Sequence, residues 1–347
     1  MKGNIQMKVT IYDVAKRAKV SISTASKALN DRRDVSEATK QRVREIAKEL
    51  NYEPSHFARA LASRKTNNIG VITVRYFKTP ILTNPFYSKI IEGIEEQLIG
   101  TEFNLLTNIL NKEQLKSMEI PRMIKEKNVD GVILMGHMNK EFIDMLNQKG
   151  IPVVMIDNYF EGTPIKYVIA DNIDGAYQIV SYLINTGHKK IAYLAVSKER
   201  YSFVEREKGY RKALEGKGIP IDERFIIYSS EQGDEQDYSW MKKVFEYDEK
   251  PDALFLCNDV NAILALNMLN NMGIRVPDDI SVAGFDNIDL TQHFIPSITT
   301  VDIPKDLMGK KAVEILLNII AKKKEGIENI IFPTQLIIRN STKERKS

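Results

Sequence analysis

Cysteine is almost absent from this 347-residue chain, which holds one, Cys257. A single thiol excludes an internal disulfide and any cysteine cluster for zinc. No stretch approaches the roughly 18 uninterrupted apolar residues of a membrane span. The opening MKGNIQMKVTIYDV has lysines but neither an apolar block nor a small-residue cleavage site, so a cytoplasmic protein without a secretory leader is expected. Catalytic signatures are wanting too: there is no GxSxG, no Walker-type phosphate loop, and no recognisable base beside Cys257. The four histidines, His56, His137, His188 and His293, show no HExxH or paired arrangement, so each reads as structural. No tight acidic cluster has the spacing of a divalent-metal site. Neither an enzyme nor a bound metal or cofactor is expected.

What is present is unevenly distributed. The formal charge is +4, yet residues 1–65 hold 15 Lys and Arg against 7 Asp and Glu, a net of +8 that leaves −4 for the rest. Concentrated positive charge attracts phosphates and releases counterions, whereas an acidic body does not adhere to DNA on its own account. Small helical domains are often Lys/Arg-rich for solubility alone, so charge only favours a nucleic-acid partner. The length calls for two or three domains, and a hydrophobic content of 43% supplies their cores.

The basic end has a pattern. Ile11, Val14, Ala15 and Ala18 fall at i, i+3, i+4 and i+7, one apolar helical face with Thr10 as its N-cap. After a break at Lys19-Val20-Ser21, Ser21 caps a second helix in which Ala25, Ala28 and Leu29 face inward and Ile22, Ser23, Thr24 and Lys27 face out. A third segment opening at Ser36 aligns Val43, Ile46, Ala47 and Leu50 to close a three-helix core. Helix, short turn, helix with small exposed side chains presents a rod to the major groove.

TIYDVAKRAKVS, TASKALN, VSEATKQRVREIAKELNYEPS and ARALAS, in this order and spacing, resemble the DNA-reading unit of the lactose-repressor family of bacterial transcription regulators. The resemblance implies that Thr10, Tyr12, Ser21, Thr24, Ser26, Asn30 and Ser36 hold the phosphate backbone while Ile22, Ser23 and Lys27 read base edges. For the hydroxyl residues ordinary capping is the plainer role, and Ser21 can serve both. Lys19 stands at a turn position where glycine is frequent in the family. Lys27 stands where arginine is common, which removes a bidentate fork. Pro54 ends the third helix. Ser55–Ser63 spans only about two turns, too short to hold helical form alone; in the family the matching segment is a hinge that orders on the operator, with Leu61 wedged into the minor groove.

From Asn68 the pattern changes. Apolar runs such as IGVITV, GVILMG, PVVMID, KIAYLAV, DALFLCND and ISVAGFD alternate with amphipathic helical stretches, which predicts parallel sheets covered on both faces. The number of runs suggests two sheets. The whole resembles the family's two-lobed, periplasmic-binding-protein-like effector domain, so the fold class is a small all-α helix-turn-helix domain plus an α/β two-lobed domain. The expected boundaries are 8–54 for the DNA-binding domain, 55–66 for hinge and linker, and 67–341 for the effector domain. Its first lobe combines about 67–168 with 302–331, and its second about 169–301 with 332–341, with crossings near 168–171, 297–304 and 332–335.

Ligands of such sheets bind at the carboxyl ends of strands. There the sequence places Asp157, Asn258 and Asp286, with Arg206 on the helix after KIAYLAV, and the resemblance makes these four the effector-contact positions. Carboxylates, an amide and a guanidinium suit a polyhydroxylated ligand. Phe86 and Tyr87, in NPFY after the first strand, are placed to stack on a sugar ring. The bland alternatives are that a strand-end Asp or Asn caps the next helix, Asp259 above all, and that Arg206 pairs with Glu205 or Glu207 on the surface.

The expectation is a dimeric regulator of carbohydrate use that binds a pseudo-palindromic duplex, its DNA affinity altered by a sugar-like effector. The tail 339–347 lacks apolar heptads, which favours a homodimer over a coiled-coil tetramer. A regulator answering to a protein co-effector, a transport-type solute-binding protein and a sugar hydrolase using paired carboxylates are the competing readings.

Overall fold

The structure is a computed structural model that describes residues 9–52, 65–75, 81–229 and 239–345. It divides into two compact units, 1–66 and 67–347. The segment expected to form the hinge helix, with Leu61, lies outside the described residues.

In the first unit α1 (Ile11–Ala18), α2 (Ile22–Leu29) and α3 (Glu37–Glu49) pack around Val14, Ala15, Ala18, Ala25, Ala28, Val43 and Ala47. The innermost side chains are small, and Ile11, Leu29, Ile46, Leu50 and Tyr52 pack around them, half-buried. The Asp13 carboxylate reaches back to accept from the Thr10 amide and hydroxyl at 2.8 and 2.7 Å, fixing the start of α1. Lys19 ends it in the left-handed region at φ 53°, ψ 44°. That conformation explains why glycine is favoured there: a side chain at positive φ costs energy.

The second unit holds two parallel sheets. In chain order the elements are β1 (Asn68–Arg75), α4 (Pro85–Leu98), β2 (Asn104–Asn111), β3 (Gly131–Met135), α5 (Lys140–Gln148), β4 (Val153–Ile156), β5 (Lys166–Ala170), α6 (Asn172–Asn185), β6 (Ile191–Ala195), α7 (Tyr201–Gly216), β7 (Ile226–Tyr228), β8 (Ala253–Leu256), α8 (Asp259–Asn271), β9 (Ser281–Ala283), β10 (Thr300–Asp302), α9 (Lys305–Ile320), β11 (Ile330–Phe332) and β12 (Gln335–Ile337). The first sheet runs β11-β5-β4-β3-β1-β2 and the second β7-β6-β8-β9, every pairing parallel.

Strand period explains how the first sheet is covered. Val132, Leu134, Val153 and Met155 join a core with Phe142, Ile143 and Leu146 of α5, whereas Ile133, Met135, Val154 and Ile156 join the opposite core with Ile90 and Ile94 of α4. Successive side chains therefore serve opposite faces, and both faces are apolar. On the second face α4 crosses α9 at the closest approach glycine permits. A Cβ on Gly93 would lie 2.1 Å from the Asp306 carbonyl oxygen, and one on Gly309 2.2 Å from that of Ile90.

The chain passes between lobes at three places. β5 continues to Ala170, past the expected edge at 168, because its last residues pair with β11. β10 and β12 form a separate antiparallel pair, tied to the end of β9 by the Ala283–Thr299 bridge. Beyond the expected end at 341 the chain stays attached to the second lobe, the Arg345 amide donating to the Thr186 carbonyl at 2.8 Å.

Candidate functional site

On the first unit, the described side chains expected to meet DNA lie on α1 and α2 and at the caps of α1, α2 and α3. Tyr12 is 58% exposed and Ile22 50%, large exposures for an aromatic and a branched apolar side chain in so small a unit. Thr10, Ser21, Ser23, Lys27, Asn30 and Ser36 are exposed, and Thr24 and Ser26 half-buried. Several are engaged as caps. The Ser21 hydroxyl accepts from the Thr24 amide at 3.0 Å, the Ser36 hydroxyl from the Thr39 amide at 3.4 Å, and the Asn30 amide group donates to the Ser26 carbonyl at 2.9 Å. One partner escaped the sequence reading: Lys27 Nζ sits 2.6 Å from Asp34 Oδ2, across the loop after α2. That neighbour holds the Asp34 carboxyl below its usual range. Lys16, Lys19, Arg32 and Arg33 are exposed and enter no ion pair among the described residues, so their charge is available to phosphates.

In the second unit, the carboxyl ends of strands converge on a cleft. Its lining includes Phe86, Tyr87, Asp157, Arg206, Asn258 and Asp286, all six residues expected there, and it encloses about 640 Å³ of empty space with its open mouth included. Asn84 caps α4, accepting from the Phe86 amide at 3.0 Å and the Tyr87 amide at 3.4 Å, and so aims both rings. Tyr87 packs edge-on against Phe86 and donates its hydroxyl to Asp157 Oδ2 at 3.2 Å. Phe86 is buried, which limits the ring face it offers to a guest. Asp157 follows β4 and Asp286 follows β9, with φ of 55° and 110°. Two strained carboxylate-bearing residues in one cleft mark a place where surrounding structure enforces an uncommon backbone.

Arg206 is not a surface partner of Glu205 or Glu207. It is 2% exposed, donates from Nε to Asn172 Oδ1 at 2.9 Å and from Nη1 to the Cys257 carbonyl, and lies with its guanidinium carbon 3.8 Å from the Phe285 ring centroid. Its Nη2 is 3.0 Å from Asp286 Oδ1, a charge contact without good hydrogen-bond alignment. That leaves acceptor capacity on Asp286 for a ligand hydroxyl or amine. Burial pushes the Asp157 carboxyl up to about 6 and the neighbouring Asp286 pushes the same way, while Arg206 opposes both. Burial likewise raises Asp286, against the pull of Arg206 and Lys305.

Asp259 corrects the sequence reading. The N-cap of α8 is Asn258, whose side chain accepts from the Asn261 amide at 2.9 Å. Asp259 lies one residue inside the helix, fully buried, accepting from the Ile288 amide at 2.9 Å and the Thr300 hydroxyl at 2.6 Å. Burial first, and Asp286 next, push its carboxyl up to about 8. Gly284 is required beside it, since a Cβ there would lie 2.1 Å from Asp259 Oδ1.

Asn84, His137, Arg200, Tyr201, Phe203 and Asn261 also line the cleft and were not foreseen. His137 therefore belongs to the site rather than to a core; burial and Arg200 lower it to about 4, so it is neutral at pH 7. His188 is a core group, bonded to the Leu183 carbonyl at 2.9 Å and Ser281 Oγ at 2.8 Å. His56 lies outside the described residues. The strand-end rule applied to β6 would have found Arg200, Tyr201 and Phe203, which open α7 beyond that strand. Among the described residues no group of three His, Cys, Asp or Glu could hold a metal ion, and no helix is long and apolar enough to cross a membrane.

A helix-turn-helix unit joined in one chain to a two-lobed, parallel-sheet body with a polar cleft defines a DNA-binding regulator with a periplasmic-binding-protein-like domain. Residues 10–55 match the model of bacterial regulatory proteins of the lacI family, and residues 180–342 that of the periplasmic binding protein-like domain. The HTH-type transcriptional repressor PurR of Photobacterium profundum is 35% identical over 341 residues, 96% of this chain and 99% of its own. Among solved structures, the lac repressor dimer bound to operator and the anti-inducer ONPF matches with a TM-score of 0.78 and 26% identity, over 96% of this chain and 99% of that one. A complex of the transcriptional regulator CelR with cellobiose matches at 0.71 and 29%, over 96% and 100%. The chain belongs to the lacI family of bacterial regulatory proteins.

Proposed function

We propose that this protein is a cytoplasmic, homodimeric repressor that binds a pseudo-palindromic operator and whose grip on that DNA is set by a polyhydroxylated, sugar-like effector in the cleft. The observation that carries the effector class is the convergence of Asp157, Asp286, Arg206 and Asn258 on one space. A sugar hydroxyl donates to a carboxylate and accepts from a guanidinium or amide, so alternating acids and donors satisfy a ring of hydroxyls that few other small molecules match. The likeness to a cellobiose-bound regulator supports the same class.

On DNA, Thr10, Tyr12, Ser21, Thr24, Ser26, Asn30 and Ser36 hold phosphates, Ile22, Ser23 and Lys27 read the major groove, and Leu61 wedges the minor groove. The Ser21 cap leaves its hydroxyl able to serve a phosphate as well. Coupling follows from differential affinity: an effector that prefers one lobe arrangement shifts the population of the arrangement that fits the operator.

A second reading has its own observation. The half-buried rings of Tyr87 and Tyr201 in the lining favour a flat heterocycle such as a purine base. Thermal melting of the full-length protein against pentoses, hexoses, disaccharides and purine bases separates the two. A rise in Tm with a sugar alone supports the first reading; a rise with a purine base alone replaces it with the second.

A further inference from the structure

Lys305 opens α9 on the first lobe, yet the residue is 9% exposed and its ammonium meets the second-lobe loop that carries Asp286. Its ammonium donates to the main-chain carbonyls of Asp286, of Asn287 at 3.3 Å and of Ile303 at 3.0 Å. The Asp302 carboxylate is farther, at 3.8 Å. An ammonium has three donors, and here three carbonyls meet them. Each side needs the other, because a buried charge without such partners is costly and so is a buried carbonyl left unpaired.

The peptides held this way are the unusual ones, with φ of 110° at Asp286 and 50° at Asn287. Such backbone persists only where its surroundings over-determine it. The Asn287 side chain ties the same loop to two crossing segments, donating to Asp302 Oδ1 at 2.8 Å and accepting from Arg339 Nη2 at 2.7 Å. From below, Asp259 accepts from the Ile288 amide. Of these supports Lys305 alone reaches the loop from a helix packed against the first sheet.

We propose that Lys305 is the positioning residue of the effector cleft: from the first lobe it sets the Asp286–Asn287 backbone, aims the Asp286 carboxylate beside Arg206, and makes that aim depend on the angle between the lobes. The inference rests on the reading of the cleft as the effector site. A change of lobe angle moves Lys305 away from the carbonyls it holds, so a guest bound to a correctly aimed Asp286 favours the angle at which those bonds are made.

The test is calorimetric titration of the full-length protein, wild type, Lys305→Met and Lys305→Arg, with ribose, cellobiose and guanine as probes. Lys305→Met should bind the probe accepted by wild type at least about tenfold more weakly, and Lys305→Arg, which keeps charge and donors, should recover most of the loss. Equal affinity of wild type and Lys305→Met overturns the proposal while leaving the cleft as the effector site. Binding of none of the probes by wild type removes the cleft reading and this inference with it. Against misfolding of the variants, amine-reactive footprinting of wild type gives a separate readout. Lys305 should be protected relative to Lys310 and Lys311 on the same helix, and labelling at an equal rate overturns the proposal.

Discussion

The helix-turn-helix unit and the polar cleft use charge in opposite ways. In the first, Lys16, Lys19, Lys27, Arg32 and Arg33 stand in water, and an ion pair such as Lys27–Asp34 contributes little to stability. In the second, Arg206, Lys305, Asp157 and Asp286 are buried among groups that answer them, and Asp259, buried beside them, is pushed up to about 8 and so keeps its proton at pH 7. Exposed charge can be altered for specificity at almost no cost to folding, whereas buried charge binds folding and recognition together.

The comparison breaks first, if it breaks, at Arg206. Arg206→Met leaves Asp286 without its guanidinium and the Asn172 and Cys257 acceptors without their donor, and should cost about 3–5 kcal/mol in denaturant unfolding of the effector unit. Lys27→Met in the other unit should change stability by no more than about 0.5 kcal/mol. Similar losses at both sites would erase the distinction. For recognition the order reverses. Selection from a random duplex pool should show Lys27→Met losing about 1–3 kcal/mol of discrimination at one base pair, with Arg206→Met selecting the wild-type sequence.

A smaller effect concerns pH. The Asp259 carboxyl sits at about 8 rather than near 4, so the native state holds its proton more tightly than the unfolded chain does. The stability this contributes is fully present below the unfolded value and is lost as pH rises through about 8. Asp259→Asn should therefore melt with a flatter pH dependence than wild type between about pH 5 and 8, a tenfold change in proton activity counting for at most about 1.4 kcal/mol. Parallel melting curves for the two proteins would place Asp259 outside the titrating set. The smallest effect is expected at the turn of the DNA-reading unit, where Lys19→Gly relieves a side chain at φ 53° and should stabilise by less than about 1 kcal/mol.

The same contrast explains what the sequence disclosed. Exposed function is local: the spacing of Ile11, Val14, Ala15 and Ala18 is enough to turn Tyr12 and Lys16 outward, and strand ends alone pointed to Asp157 and Asp286. Partnerships inside the cleft are not local. In VEREKGY nothing marks Arg206 as buried, because its acceptors come from Asn172 and Cys257 on other elements. Asp259 looked like a cap since Asn and Asp both cap helices, and only the loop from Gly284 to Ile288 decides between them. β10, β11 and β12 have three residues each, too few to show a period, although they carry two of the passages between lobes.

The central claim is that occupancy of the cleft is read out on DNA. The direct measurement is the Kd of full-length protein for its selected palindromic duplex, at fixed salt, with and without a saturating concentration of the compound that raises its Tm. The account predicts a shift of roughly 5- to 150-fold, in either direction, that disappears in Asp286→Ala while DNA binding itself survives. A Kd indifferent to the compound, or a shift that persists in Asp286→Ala, would contradict it.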